Sequence, residues 1–237
     1  QHALTEMINN AIDHSGSEHV RVGLRRNALF VEAWVEDDGE GIFVKIQRAL
    51  GLYDPRESML ELAKGKLTTS PQNHSGEGIF FTSRMVDAFE IRSGDLVFAH
   101  AQHKTDSLTT GGEAVKGTQV RMRLANDSER TAGSIFDEYS ESEDYTFDKT
   151  VVPVRLAQHG GEQLVSRSQA KRVAHRFERF KRVVLDFTGV DEIGQAFADE
   201  LFRVFASAHP EIQLTPMNTS PAVASMVRRA LSAKGAR

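Results

Sequence analysis

The stretch DDGEGI at residues 37–42 places two carboxylates and two glycines at the end of a predicted β-strand, residues 29–36. Glycine lets the backbone turn sharply and approach a ligand closely. A carboxylate held at such a point can accept a hydrogen bond from an exocyclic amine, which is one way to tell adenine from guanine. Asp-Gly is also a common turn pair, so the stretch by itself favours an ordinary turn over a ligand site.

A second motif lies on the predicted first helix, residues 2–13, where Glu6 and Asn10 are four residues apart and share one face. A carboxylate beside a carboxamide can orient a water molecule while the amide oxygen coordinates a hard divalent cation that arrives with a nucleotide phosphate. An isolated pair of this kind is more commonly an ordinary contact on a polar helix edge.

The third motif, SGEGI at residues 75–79, opens another predicted helix, residues 79–89, after a region rich in hydroxyl groups and cations. Free N–H groups and the positive end of the helix dipole attract phosphate at such a place, and glycine removes the side chain that would block it. Glycine pairs before helices are common in caps and loops. The order of the three motifs therefore carries more weight than any one of them.

Together these motifs resemble the GHKL family of ATPases, which includes gyrase B subunits, MutL proteins, histidine kinases and anti-sigma-factor serine kinases. The resemblance covers nearly all of residues 1–124. The first helix resembles the family's N box, residues 37–41 its DxGxG box and residues 76–78 its second glycine box. Gly117 and Thr118, with the predicted strand that follows them, resemble the closing strand of the family.

The resemblance implies ATP and Mg²⁺ as cofactors and a role for each matching residue. Glu6 is implied to be the catalytic base, Asn10 the Mg²⁺ ligand and Asp37 the group that reads the adenine amine. Thr118 is implied to support Asp37 through water, and residues 44–74 to form a mobile lid over the triphosphate. The implied nucleotide-binding residues are Asn10, Asp37, Gly39, Gly41, Ile42, Lys66, Thr68, Thr69, Gly76, Gly78 and Thr118.

Three departures from the family pattern bear on function. Glu6 occupies a position where many histidine kinases carry Asn, which argues against an ordinary sensor kinase. His74 stands where the second glycine box commonly has a further glycine, so the phosphate loop is expected to close differently. His14, after the first helix, is expected to be structural rather than a phosphorylation site.

The predicted elements of residues 1–125 indicate an α/β sandwich with a mixed, largely antiparallel sheet and helices on one face. Hairpins are predicted at residues 20–36 and 90–102, and a last strand at 118–124. A polar region that contains glycine is expected between the second strand and Gly78.

Residues 150–237 alternate between predicted strands and helices, which indicates a second, small α/β domain. The stretch VVLDFTGV at residues 183–190 resembles the central strand and turn of STAS domains. The phosphorylatable serine of that family is absent, since residues 194–197 read GQAF. Residues 195–200 instead resemble a STAS-like domain of unknown function that occurs attached to GHKL ATPases.

Charge separates the two parts of the chain. Residues 1–149 carry 16 basic and 25 acidic side chains, a balance of −9, whereas residues 150–237 have a balance of +5. Between them, residues 126–149 form an acidic connector whose aromatic side chains could dock on either neighbour. The predicted domains are therefore residues 1–125 and 150–237.

The composition indicates a folded soluble protein, with 40% hydrophobic and 26% charged residues. Because cysteine is absent, disulfides, thiolate zinc sites and a cysteine nucleophile are excluded. Apolar runs are too short to span a bilayer, so we expect no membrane contact and a cytoplasmic location. The start at Gln1 without a leader sequence predicts a fragment or processed chain, with part of the first domain absent.

The leading hypothesis is an Mg²⁺-dependent ATP-binding protein that hydrolyses ATP slowly or uses nucleotide state as a switch. Two alternatives stay open: a serine/threonine protein kinase of the anti-sigma-factor type, and a non-catalytic ATP-sensing module. A protein partner is expected, and a homodimer follows by family analogy. Nucleic acid would be contacted through a region upstream of Gln1 or through the basic helix predicted at residues 168–180.

Overall fold

The computed structural model describes residues 2–68, 76–102, 106–140 and 147–233. The chain divides into two compact units, residues 1–138 and 139–237. Within the described residues, no helix combines the length and apolar character needed to cross a membrane.

The first unit is built on a four-stranded antiparallel sheet with the strand order β1-β2-β4-β3. Its elements are α1 (His2–His14), β1 (Val20–Arg26), β2 (Phe30–Asp37), α2 (Ile42–Leu50), α3 (Glu57–Lys64), α4 (Gly78–Met85), β3 (Ala88–Ala101), β4 (Ser107–Ala125) and α5 (Ala132–Tyr139). The predicted first helix and first hairpin are confirmed within two residues at each end.

One face of this sheet forms the core. On β2, the side chains of Ala33, Val35 and Asp37 alternate inwards and are buried, as strand periodicity requires. Helix α1 buries Met7 and Ala11, one turn apart, on the side that packs against β2. The first unit is therefore a mixed α/β structure with an antiparallel sheet and helices, as predicted.

The prediction of a polar region before Gly78 is wrong in part, because this part of the chain contains the two packed helices α2 and α3. Helix α2 buries Phe43 and Ile46 at helical spacing, and every side chain of α3 is buried. These helices have only nine and eight residues and end at Gly51 and Gly65. Their apolar patterns were therefore too short to be recognised as helices in the sequence. Much of the predicted mobile lid is thus packed helix.

The hairpin predicted for residues 90–102 is also wrong, because those residues belong to the single strand β3. Both halves of β3 pair with β4, and the register shifts on either side of Gly94. Gly94 has a φ of 59°, so its left-handed backbone produces an irregularity in a strand rather than a reversal of the chain.

The second unit contains a three-stranded parallel sheet in the order β5-β6-β7. Its elements are β5 (Lys149–Pro153), α6 (Arg167–Ala174), β6 (Arg182–Asp186), α7 (Gln195–Asp199), a π-helical turn (Glu200–Phe205), α8 (Ala206–Ala208), β7 (Gln213–Met217) and α9 (Pro221–Ser232). The predicted alternation is confirmed. Two predicted elements are too long: the strand predicted at residues 151–157 ends at Pro153, and the helix predicted at residues 168–180 ends at Ala174.

Two basic side chains of α6 form ion pairs within the second unit. Arg167 lies 3.7 Å from Asp199, and Lys171 lies 3.9 Å from Glu200. Glu200 is only 8% exposed. Contact of this helix with nucleic acid stays a prediction.

The predicted acidic connector contains helix α5, and its aromatic residues divide between the units. Phe136 packs on Phe81 of the first unit, with 5.4 Å between the ring centroids. Tyr139 and Phe147 contact each other in the second unit at 6.3 Å. Tyr145 lies outside the described residues.

A buried charge cluster joins α4 to the two long strands of the first unit. Arg84 donates hydrogen bonds to both carboxylate oxygens of Asp106, at 3.2 and 3.0 Å, and His100 Nδ1 lies 2.5 Å from Asp106 Oδ1. Burial alone would raise the pKa of Asp106, but the attraction of Arg84 and the hydrogen bond with His100 outweigh it and lower the pKa to about 2.

Asp106→Asn removes the carboxylate from this buried cluster, so we expect it to lower the free energy of unfolding by about 3–5 kcal/mol at pH 7. The folded-state pKa of Asp106 is below its ordinary value of 3.8, so this stabilisation is present above pH 3.8 and is lost as the pH falls towards 2. Urea unfolding at several pH values measures the difference. Asp95→Asn, at an exposed position of β3, is the matched control; equal midpoints for the two variants would contradict the assignment.

Candidate functional site

A cavity in the first unit opens between α1, the end of β2 and the start of α2. Its free space, with the open solvent at its mouth included, is about 1030 Å³. Its apolar wall includes Met7, Val35, Ile46, Leu62 and Val120. The predicted site residues that line it are Glu6, Asn10, Asp37, Gly41, Ile42, Thr68, Gly76, Gly78 and Thr118.

The other predicted ligand-binding residues do not line this cavity or lie outside the described residues. Gly39 packs against the backbone instead, because a Cβ there would lie 2.0 Å from the carbonyl oxygen of Ser15. Lys66 has a left-handed backbone, with a φ of 49°, and is not part of the cavity wall. Thr69 lies outside the described residues.

Asp37, at the end of β2, is buried at the cavity wall and held by two backbone N–H groups. Its Oδ1 accepts hydrogen bonds from Gly39 N–H at 3.0 Å and from Thr118 N–H at 3.2 Å. Burial raises the pKa of Asp37, although both N–H groups act in the opposite direction. Its Oδ2 accepts no hydrogen bond from any residue that the structure describes, so it can receive a donor from a ligand.

Thr118 supports Asp37 through its backbone N–H, which donates a hydrogen bond to the carboxylate. Its side-chain Oγ1 accepts a hydrogen bond from Ile42 N–H at 3.0 Å, which ties β4 to the first residue of α2. The hydroxyl hydrogen of Thr118 remains a donor. One threonine therefore fixes both the carboxylate and the adjoining turn.

Two glycines allow the close approaches that shape the cavity. Gly41 has a φ of 91°, and a Cβ there would lie 2.5 Å from Ser93 Oγ. At Gly78 a Cβ would lie 2.4 Å from Glu6 Oε2, so the carboxylate of Glu6 rests against the first residue of α4. A side chain at either position would displace a wall of the cavity.

Asn10 lies one helical turn after Glu6 on the same side of α1. Its Nδ2 is buried and has no hydrogen-bond partner among the described residues. An unsatisfied buried donor costs about 1–3 kcal/mol, so the protein by itself gives this amide no stabilising role. A carboxamide that lines a cavity beside a carboxylate fits the role of oxygen ligand to a cation.

Lys45 and His14 are among the cavity-wall residues that sequence reasoning did not predict as ligand contacts. Lys45 lines the cavity because Ile42, Lys45 and Ile46 share one face of α2, a pattern that became readable only once α2 was recognised. His14, expected to be structural, lines the cavity too. Its carbonyl oxygen accepts a hydrogen bond from Lys45 Nζ.

Comparison with known families concerns the second unit. Residues 169–224 match the family described as a STAS-like domain of unknown function (DUF4325). This confirms the STAS-like prediction for that part of the chain. No curated protein matches the chain.

We expect Asp37→Asn to raise the melting temperature at pH 7. The pKa of Asp37 is higher in the folded state, so folding disfavours the charged carboxylate. The contribution of this carboxyl group to stability is therefore largest below its ordinary pKa of 3.8 and is lost as the pH rises. The amide oxygen can still accept both N–H groups while the buried charge is removed. Thermal unfolding from pH 7 to pH 3 should show the advantage shrinking as the wild-type carboxylate becomes protonated.

The neighbouring Asp38→Asn is the control for this experiment. The hydrogen bond from Ser17 lowers the pKa of Asp38, so its charge favours folding and its removal should give no gain in stability. A lower melting temperature for Asp37→Asn at pH 7 would show that the carboxylate stabilises the fold and would contradict this account.

Proposed function

We propose that the first unit is an Mg²⁺-dependent ATP-binding domain of the GHKL class, which hydrolyses ATP slowly and uses nucleotide state as a regulatory switch. The observation that carries the proposal is the convergence of Asp37 and Asn10 on one cavity. Asn10 lies on α1 and Asp37 at the end of β2, with strand β1 between these elements in the sequence. If residues 37–42 formed only a turn, and Glu6 and Asn10 only a polar helix edge, nothing would require them to line the same cavity.

The adenine end of the ligand is assigned to the wall around Asp37. Oδ2 can accept a hydrogen bond from the exocyclic amine, and the hydroxyl of Thr118 can donate to a ring nitrogen. The apolar side chains of Val35, Ile46 and Val120 offer contacts to a purine face. Guanine carries an oxygen in place of that amine, so it would oppose the carboxylate.

The phosphate end is assigned to Glu6, Asn10 and the start of α4. Gly76 and Gly78 line the cavity at the start of α4, and backbone N–H groups at a helix start can bind phosphate oxygens. Asn10 Oδ1 is the protein ligand proposed for Mg²⁺, which when bound supplies positive charge against the phosphate oxygens. The buried, unsatisfied Nδ2 of Asn10 is consistent with an amide oriented for a ligand.

Glu6 is the proposed general base. Its carboxylate lies against Gly78, where the terminal phosphate is placed, and can accept a proton from a water molecule that attacks that phosphate. A protein hydroxyl in place of the water would give phosphoryl transfer to a partner by the same proton step. The STAS-like domain is proposed to transmit or receive the nucleotide state, without a phosphorylatable serine at residues 194–197.

Calorimetric titration with a non-hydrolysable ATP analogue and Mg²⁺ tests the pocket. Asp37→Asn replaces the free acceptor with an amide, so we expect affinity to fall about 10- to 100-fold, as for loss of a charged hydrogen bond of about 1.5–3 kcal/mol. Asp38→Asn, whose carboxylate is occupied by Ser17, should bind as the wild type does. Equal affinity of the wild type and Asp37→Asn for the ATP analogue would contradict the proposal that Asp37 binds the adenine amine.

Turnover is tested separately with Glu6→Gln. This variant should keep its affinity for the ATP analogue and lose phosphate release by at least about 100-fold, the usual contribution of a general base. Labelled ATP with cell extract distinguishes the products: free phosphate supports hydrolysis and labelled protein supports the kinase alternative. Unchanged turnover in Glu6→Gln would withdraw the general-base role.

A further inference from the structure

Lys45 is a basic side chain in the wall of the cavity for which the proposed nucleotide contacts leave no role. It lies in the first turn of α2, three residues after Ile42, and is half-buried. Among the described residues that line the cavity, it is the one lysine or arginine. The same wall carries the carboxylates of Glu6 and Asp37.

The ammonium group of Lys45 is positioned by the backbone of α1. Nζ donates a hydrogen bond to the carbonyl oxygen of His14, the last residue of that helix. The C-terminal carbonyls of a helix carry partial negative charge and attract a cation. An ammonium group has three donors, so this bond fixes Lys45 and leaves two donors.

Several basic residues of the first unit are paired with carboxylates, whereas no carboxylate of the described residues forms a salt bridge with Lys45. Arg48, one turn further along α2, lies 2.5 Å from Glu40. Arg25 and Arg92 have similar partners, at 2.5 and 2.7 Å. The hydrogen-bond partner of the Lys45 ammonium group is thus a neutral carbonyl oxygen rather than a carboxylate.

Lys45 lies on α2, but the turn of α1 to which it is hydrogen-bonded indicates which part of a nucleotide it would contact. Glu6, Asn10 and His14 follow one another at intervals of four residues, about 6 Å each along the helix axis. If the terminal phosphate lies at Glu6 and the cation at Asn10, the next turn faces the part of the phosphate chain nearest the ribose. Lys45 is anchored at that turn.

We propose that Lys45 binds the α-phosphate of the nucleotide, with its ammonium group held in place by the His14 carbonyl. This inference rests on the proposed ATP-binding function and assigns a further subsite within it. The proposal predicts that the binding of AMP, ADP and ATP depends on Lys45 and that the binding of adenosine does not.

Titration of adenosine, AMP, ADP and the non-hydrolysable ATP analogue into the full chain tests the subsite. Lys45→Met keeps most of the aliphatic length and removes the charge, so we expect all three phosphorylated ligands to bind about 10-fold or more weakly. Adenosine should bind as tightly as it does to wild type. Lys45→Arg should recover part of the lost affinity, and Arg48→Met, an exposed residue of the same helix, should change none of the four.

Thermal unfolding of each variant confirms that it is folded. Unchanged AMP affinity in Lys45→Met, with binding still lost in Asp37→Asn, would overturn the Lys45 subsite and leave the proposed function intact. An equal loss for adenosine and AMP would overturn it as well, since Lys45 would then act through the shape of the pocket. Wild-type protein that binds none of the four ligands would overturn both proposals.

Discussion

The candidate site depends on a buried carboxylate, that of Asp37, and on the two backbone N–H groups that hold it. Gly39 N–H belongs to the turn after β2, and Thr118 N–H belongs to β4. With the bond from Ile42 N–H to Thr118 Oγ1, these contacts connect two strands and the start of α2. This part of the cavity wall is therefore held by three backbone N–H groups that donate to two side chains, those of Asp37 and Thr118.

This arrangement is unfavourable for the protein alone. Burial disfavours the charged form of Asp37, and the buried Nδ2 of Asn10 lacks a partner among the described residues. Unfavourable groups that face one cavity indicate a ligand that compensates for them, because stability alone would favour their replacement.

Much of this could be predicted from the sequence, because glycines next to carboxylates at strand and helix ends restrict the backbone to few conformations. Helices α2 and α3 could not be predicted from the sequence, because short helices between glycines show too few apolar repeats. Lys45 was missed for the same reason, as its place on the wall depends on α2. The direct bond from Thr118 N–H to Asp37 depends on the pairing of Asp37 with Thr118 across two strands that are distant in sequence.

The central claim is that Asp37 and Asn10 contact opposite ends of one nucleotide. A crystal structure of the full chain with Mg²⁺ and a non-hydrolysable ATP analogue tests it most directly. The account predicts the exocyclic amine within hydrogen-bond distance of Asp37 Oδ2, and the cation coordinated by Asn10 Oδ1. A nucleotide bound elsewhere, or a base that faces away from Asp37, would contradict it.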